Sequence, residues 1–419
     1  MKNFEPTAPA IKQHFLQVKF PEDWERIHLD DAIEPSSPIC YGILMPGDHQ
    51  EDGIPVIKVK DYSGKPLSLD GILRTSYQIE KQYHRSRVIE GDILMSIRGG
   101  TGEITIVPAA LSGANITQDT ARLRAKDESF REYLPHALQG DFVQRQIELD
   151  TVGQAVTGIN IGSVRKLVIP IPPIAERSKI STTFRAWDRA IETLESLIAA
   201  KSDRKRGLMQ QLLTGRIRLP GNTKRWHDVK LGKLLKHIFR PVDWAPDQIF
   251  HLVSIRRRSR GLFARESLRG DEYKTRDLHE VHEGDFLISK RQVSHGALAM
   301  VRKEFHGCHV SKEYTILENR DPDRLHMPFF DWLSRTRRMW WLAHVVSSGV
   351  ALEKLIFLPK DFLKFSIKLP PTLVEQEQIV NVLETCDREL ALLRQQLEAL
   401  REQKRGLMQK LLTGEVRVK

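Results

Sequence analysis

Few side chains in this 419-residue sequence sit at spacings that could do chemistry. Arg98-Gly99-Gly100-Thr101-Gly102 is glycine-rich enough to cradle a phosphate. It lacks the lysine and spacing of a G-x-x-x-x-G-K-[ST] loop, so a turn between two strands, lying on a nucleic-acid backbone, is the plainer reading. His306-Gly307-Cys308-His309 offers metal-binding side chains, but no second ligand pair stands at a usual spacing, and a polar turn is the plainer reading. Asp285 and Lys290 could begin a metal-nuclease set, yet no second acid completes it. The pairs Pro172-Pro173 and Pro370-Pro371 would suit an adenine methyltransferase only with Asn or Asp before them and an aromatic residue after. Their flanks are Ile171 and Ile174, and Leu369 and Thr372. Cys40, Cys308 and Cys386 are far apart and form no Cys-x-x-Cys, so neither a zinc ribbon nor a disulfide framework is expected.

What remains is binding. The net charge of +11 is uneven: residues 1–172 carry −4 and residues 221–372 carry +10. A local basic excess points to a polyanion, and contacts to DNA come mainly from Arg, Lys and small polar side chains. In residues 221–372 the candidates are Arg256, Arg257, Arg258 and Arg260, then Lys290 and Arg291, then Arg335 and Arg338 on an expected helix. In residues 1–172 they are Lys58, Lys60, Arg98 and Thr101, whose contact face must be local because that region is acidic overall. Each basic run could equally be a solvated loop, and Arg335 could serve packing. Lys201, Arg204 and Arg206 could approach DNA or simply flank a helix.

The elements that would hold these residues are written twice. Residues 205–215 and 404–414 both read Lys-Arg-Gly-Leu-Met-Gln-x-Leu-Leu-Thr-Gly, at an offset of 199. That period is too long for a solenoid and indicates two domain-sized halves. Upstream of each block, apolar residues recur at steps of three and four. The first stripe is Ile180, Phe184, Trp187, Ile191, Leu194, Ile198, Leu208 and Leu212; the second is Ile379, Leu383, Leu390, Leu393, Leu397, Leu400, Leu407 and Leu411. Such a stripe is a helix-packing seam, and two in one chain can bury each other. The proline pairs mark the helix starts, and Gly215 and Gly414 the left-handed ends.

Ahead of each helix lies a region of short β-like runs. Ile54–Val59, Gly91–Ile97, Gly102–Val107 and Leu167–Ile171 are such runs in the first. Glu90-Gly91-Asp92-Ile93-Leu94-Met95-Ser96 is echoed by Glu283-Gly284-Asp285-Phe286-Leu287-Ile288-Ser289, and Trp24 and Trp226 stand near the two beginnings. Elsewhere the two regions differ. Residues 304–352, with Trp340 and Trp341, have no close counterpart, and the same fold with altered loops is expected there.

The Lys-Arg-Gly-Leu-Met-Gln-x-Leu-Leu-Thr-Gly blocks and the segments Ile169-Pro170-Ile171-Pro172-Pro173 and Lys368-Leu369-Pro370-Pro371 resemble the specificity subunits of type I restriction-modification systems. So do Tyr41-Gly42-Ile43 and Gly53–Asp61. The resemblance runs from about Tyr41 to the C-terminus. It implies an α+β chain: target-recognition domains at 1–172 and 221–372, and conserved helical spacers at 173–220 and 373–419 that pair as an antiparallel coiled coil, giving a pseudo-two-fold internal repeat. It also implies a non-catalytic chain in which each domain reads one half of a split, asymmetric site in double-stranded DNA. The helices would set the spacer and dock two methyltransferase subunits, and restriction (motor-nuclease) subunits would join for cleavage. No cofactor is expected in this chain; S-adenosylmethionine, ATP and Mg belong to the partner subunits.

Two other readings stand beside this one. A coiled-coil scaffold with protein-binding domains would share the architecture, and a self-contained nuclease or methyltransferase would act alone. The polar segment Met1–Gln17, broken by Pro6 and Pro9, has no apolar core, and no window is long enough to span a bilayer. A cytoplasmic protein without membrane contact is expected.

Overall fold

In the computed structural model, residues 18–151, 157–272, 276–349 and 356–418 are described. The N-terminal segment Met1–Gln17 and residues 350–352 of the divergent stretch lie outside them. The chain forms two compact units, residues 1–195 with 395–419, and residues 196–394. The units divide the two long helices in the middle rather than at the proline pairs, because each globular domain packs against one end of both helices.

In the first unit, β1 (Glu25–His28) pairs antiparallel with β9 (Val168–Ile171). Between them run β2 (Cys40–Tyr41), β3 (Ile54–Ile57), β4 (Leu73–Thr75), β5 (Ile93–Ser96), β6 (Ile104–Ile106), β7 (Asn115–Ile116) and β8 (Thr120–Leu123). One sheet has the order β2-β8-β5-β6 and is antiparallel throughout. The other is β4-β3-β7, with β3 parallel to β7. The sequence of β5 is an unbroken buried run because both its faces are covered. Ile93 and Met95 join a core with helices α1 (Glu128–Gln139) and α2 (Asp141–Asp150), while Leu94 joins Ile57, Val107 and Ile116. Asp127 caps α1, its carboxylate accepting from Phe130 N at 2.9 Å.

The second unit repeats this plan. β10 (His227–Lys230) pairs with β19 (Ser366–Leu369). Its strands are β11 (Leu235–Ile238), β12 (Ile249–Ile255), β13 (Leu262–Arg269), β14 (Leu278–Val281), β15 (Phe286–Ser289), β16 (Leu298–Met300), β17 (Cys308–Ser311) and β18 (Tyr314–Asn319). The sheets are β11-β18-β15-β16 and β13-β12-β17-β14, with β12 parallel to β17. Helices α3 (Met327–Ser334) and α4 (Arg337–Val345) follow. The described part of residues 304–352 keeps the same fold, as expected: β17, β18, α3 and α4 take the places of β7, β8, α1 and α2. The expected single helix around Arg335 is two, broken at Arg335 and Thr336.

The duplicated Glu-Gly-Asp is a folding device. Gly91 and Gly284 sit at φ +82° and +87°, where a side chain is strained. Asp92 accepts from Ile89 N and Asp285 from His282 N, closing the turn into the buried strand. Each carboxylate also takes an arginine from a neighbouring segment, Arg124 on Asp92 and Arg240 on Asp285.

The long helices span Ile174–Leu212 and Leu373–Leu411, 39 residues each. At ~1.5 Å per residue each is about 58 Å long. Gly215 (φ +68°) and Gly414 (φ +72°) end them in the left-handed conformation. They run antiparallel within each unit. In the first, Lys404 Nζ lies 2.5 Å from Asp188 and Arg401 2.6 Å from Glu195. In the second, Lys201 Nζ lies 2.5 Å from Glu389, and Lys205 pairs with Asp387. At the offset of 199, Asp188–Lys404 and Asp387–Lys205 are one bridge made twice.

Every residue of both stripes is buried or half-buried. The stripe ends do more than pair helices. Ile180, Phe184 and Leu411 enter the core of the first domain with Phe130 and Leu134; Leu212, Ile379 and Leu383 enter that of the second with Phe329 and Leu342. Beside each end the same lock is built. Arg417 grips Glu176, which accepts from Trp24 Nε1 at 3.1 Å; Arg218 grips Glu375, which accepts from Trp226 Nε1 at 3.1 Å.

Candidate nucleic-acid interface

In the first domain, β3, β5 and the turn at Thr117-Gln118 end together. Thr117 N donates to Ile57 O and Gln118 N to Ile43 O. Lys58 follows β3, and its backbone N donates to Asp61 at 2.9 Å. Arg98, two residues beyond β5, is exposed and reaches Gln118 Oε1 at 3.2 Å. Lys58 and Arg98 thus flank one turn, with exposed Lys60 on the helical turn Val59–Asp61 nearby. The glycine loop is the β5–β6 turn: Gly99, Gly100 and Gly102 have positive φ, and Ser96 Oγ ties it to Gly100 O. The Thr101 hydroxyl is shielded within the loop and has no partner. Composition could not reveal exposed Met45 and Leu44, which follow Ile43 into the same turn. The available signal was Gly42, where a Cβ would lie 1.9 Å from Ile116 O.

In the second domain, Arg256, Arg257, Arg258 and Arg260 form the exposed tip of the β12–β13 hairpin. Arg258 (φ +61°) and Ser259 (φ +49°) are left-handed non-glycine residues, a conformation that needs support. It comes from Arg258 N on His295 O, Ser259 N on Gly296 O, and Trp340 Nε1 on Ser259 Oγ at 3.0 Å. Trp340, to which the sequence assigns no role, is the prop of this turn. Arg257 Nε donates to Gln292 Oε1 at 3.0 Å, bringing the tip beside Lys290 and Arg291. Arg256 turns back onto Leu262 O and the Phe263 ring. Arg291 stands two residues beyond β15, as Arg98 does beyond β5, and pairs with Glu313 at 2.6 Å. Lys290 Nζ donates to Lys312 O, and burial pushes its ammonium below the ordinary lysine range. Arg338 is exposed in the first turn of α4. Arg335 pairs with buried Asp331 at 2.6 Å and lies 4.1 Å from the Trp332 ring, the packing role the sequence also allowed. Lys201 and Arg206 on the first long helix are likewise paired, with Glu389 and Asp203.

Among the described residues, the side chains that could begin other chemistries have other partners. Asp285 is taken by Arg240, and Lys290 by a backbone carbonyl. His309 is buried edge-on against Phe250, while His306 accepts from Glu283 N. Among the described residues no group of three or more His, Cys, Asp or Glu could hold a metal. The three cysteines are free thiols. No described helix is long and apolar enough to cross a membrane.

The fold defines a class: a duplicated chain in which two domains of one topology present different cationic loops from equivalent strand ends, each docked on the end of an antiparallel helix pair. Residues 21–200 match the type I restriction modification DNA specificity domain. The type I restriction enzyme EcoBI specificity subunit of Escherichia coli is 28% identical over 198 residues, covering 47% of this chain and 42% of that protein. The putative type I restriction enzyme MjaX specificity subunit of Methanocaldococcus jannaschii is 24% identical over 96% of this chain and 95% of its own length. The crystal structure of the type I S subunit from M. genitalium superposes with a TM-score of 0.53 at 14% identity, covering 95% of this chain and 98% of that one. A structure described as the basis of complex assembly and conformational transition of the type I system gives 0.56 at 17% identity, over 95% and 100%. Residues 21–200 thus carry the match to the specificity domain, and nearly the whole chain is similar to type I specificity subunits.

Proposed function

We propose that this chain reads DNA for a type I restriction-modification complex and performs no chemistry of its own. Each domain reads one half of a split, asymmetric site in double-stranded DNA. The paired helices set the unread spacer and dock two methyltransferase subunits, and restriction subunits join for cleavage. S-adenosylmethionine, ATP and Mg then act in those partners, and the complex works in the cytoplasm. The observation that carries this reading is that one topology occurs twice with dissimilar loops at the same strand ends. Two equal frames with unequal contacts are what reading two different half-sites requires.

Mapping methylated bases genome-wide, with and without this gene, tests the proposal. One bipartite motif should vanish with the gene. In gel shifts of the chain with its methyltransferase partner, a specific reader shows sequence preference and steep salt dependence. A protein-binding scaffold shows neither, and that result would overturn the reading.

A further inference from the structure

The first domain carries a bowl of about 620 Å³ at the opposite end of its central strands from Arg98. Arg124 lies beside Asp92, before β5 begins, whereas Arg98 follows its end; at ~3.3 Å per residue these six residues span about 20 Å. Five arginines line the bowl: Arg85, Arg87, Arg122, Arg124 and Arg165. Three face carboxylates, Arg87 on Glu80 and Arg124 on Asp92 at 2.7 Å, and Arg165 on Asp30 at a loose 3.7 Å. Arg122 and Arg85 form no ion pair among the described residues, and Asp92 acts on Arg122 only through space. Arg122 is only 4% exposed. It donates to the backbone oxygens of Pro38, Arg85 and Arg87, and its Nε has no partner. The Arg85 side chain is exposed and makes no ion pair with any described residue.

A buried guanidinium bonded only to backbone oxygens, with no carboxylate in direct contact, is costly, so its presence needs a reason. The sheet itself does not require it. Leu123 opposes Ile93 as Leu317 opposes Phe286, so Arg122 and Arg124 correspond to Ile316 and Glu318 in the second domain. The sister domain therefore builds the same sheet with an apolar residue and an acid where the bowl has two cations.

We propose that this bowl is a phosphate site, which holds a backbone phosphate of DNA flanking the half-site that the first domain reads. This rests on the reading that the domain lies on DNA. Arg85 and Arg165 reach the phosphate oxygens. Arg122 is a positioning residue that ties the segments carrying Pro38, Arg85 and Arg87. Tyr41, 48% exposed on the rim, is placed to lie against a sugar. The bowl gives an otherwise acidic domain a local cationic anchor that its partner domain lacks.

The test uses the full chain assembled with its methyltransferase subunits. Fluorescence anisotropy over a KCl series, on duplexes with and without the methylation motif, compares wild type with Arg85→Glu and Arg85→Lys. For Arg85→Glu, the slope of log K against log[KCl] should shallow by about 0.9, the value for one phosphate no longer neutralised. Affinity should fall by the same factor on both duplexes, the motif should stay unchanged, and Arg85→Lys should recover most of the slope. A steep, specific wild type with an unchanged Arg85→Glu slope sinks the bowl alone. A shallow wild type with no sequence preference sinks the DNA reading and the bowl with it. ATP or inorganic phosphate bound by wild type but not by Arg85→Glu, with the DNA slope unmoved, would make the occupant a free phosphate compound and overturn the assignment.

Discussion

Arginines in this chain divide by what their charge already meets. Arg258 and Arg260 project from a propped hairpin tip with no carboxylate partner among the described residues, whereas Arg335 is committed to Asp331 and Trp332. Replacing Arg258 or Arg260 with Ala should weaken DNA binding and shallow the salt slope by up to about 1 for each phosphate left without its cation, as read by anisotropy. Arg335→Ala should instead leave Asp331 buried and unpaired, lowering stability by about 3 kcal/mol in urea unfolding. An unaltered unfolding midpoint with weakened DNA binding would return Arg335 to the interface. Buried His136 gives a pH signature. Burial holds its imidazolium pKa down to about 4, with Lys404 and Arg185 opposing the charge and Asp188 favouring it. The folded state therefore resists a proton that the unfolded chain accepts near pH 6.5, and stability should fall as pH drops from about 6.5 to about 4. A His136→Gln variant should lose stability less steeply across that window in pH-dependent thermal melts.

At the scale of elements, the helix pair is held in register by a bridge made twice, Asp188–Lys404 and Asp387–Lys205. Reversing one side with Lys404→Asp places two acids together and should lower the melting temperature. Adding Asp188→Lys should restore most of it, with a coupling of about 1 kcal/mol in a double-mutant cycle. The helices were legible because their period, proline starts and glycine ends are local signals. The buried strand β5 was legible as an unbroken apolar run. The destinations of these elements were not. Arg124 meets Asp92 across 32 residues, and Trp340 props Ser259 across 81. Met408 and Leu412 complete a domain that begins nearly 400 residues earlier. Such contacts depend on sheet register and helix docking, which periodicity does not encode. For the same reason composition could nominate Thr101 and Arg335 as contacts, while only packing shows one shielded and the other spent on a neighbour.

At the scale of the whole molecule, the proposed function makes the two domains separable readers. The frame is equal where it must be, in the Trp24–Glu176–Arg417 and Trp226–Glu375–Arg218 locks, and unequal in the loops. Inserting whole turns into both long helices should lengthen the unread spacer while leaving the half-sites as they are, a change visible in methylated-base maps. Separability is tested most directly by replacing residues 221–372 with the corresponding domain of a similar specificity subunit, followed by the same mapping in cells that express the methyltransferase partner. A new motif is expected in which one half-site changes and the other, with its spacer, is retained. A motif changed in both halves, or one unchanged by the exchange, would show that the domains do not read independently.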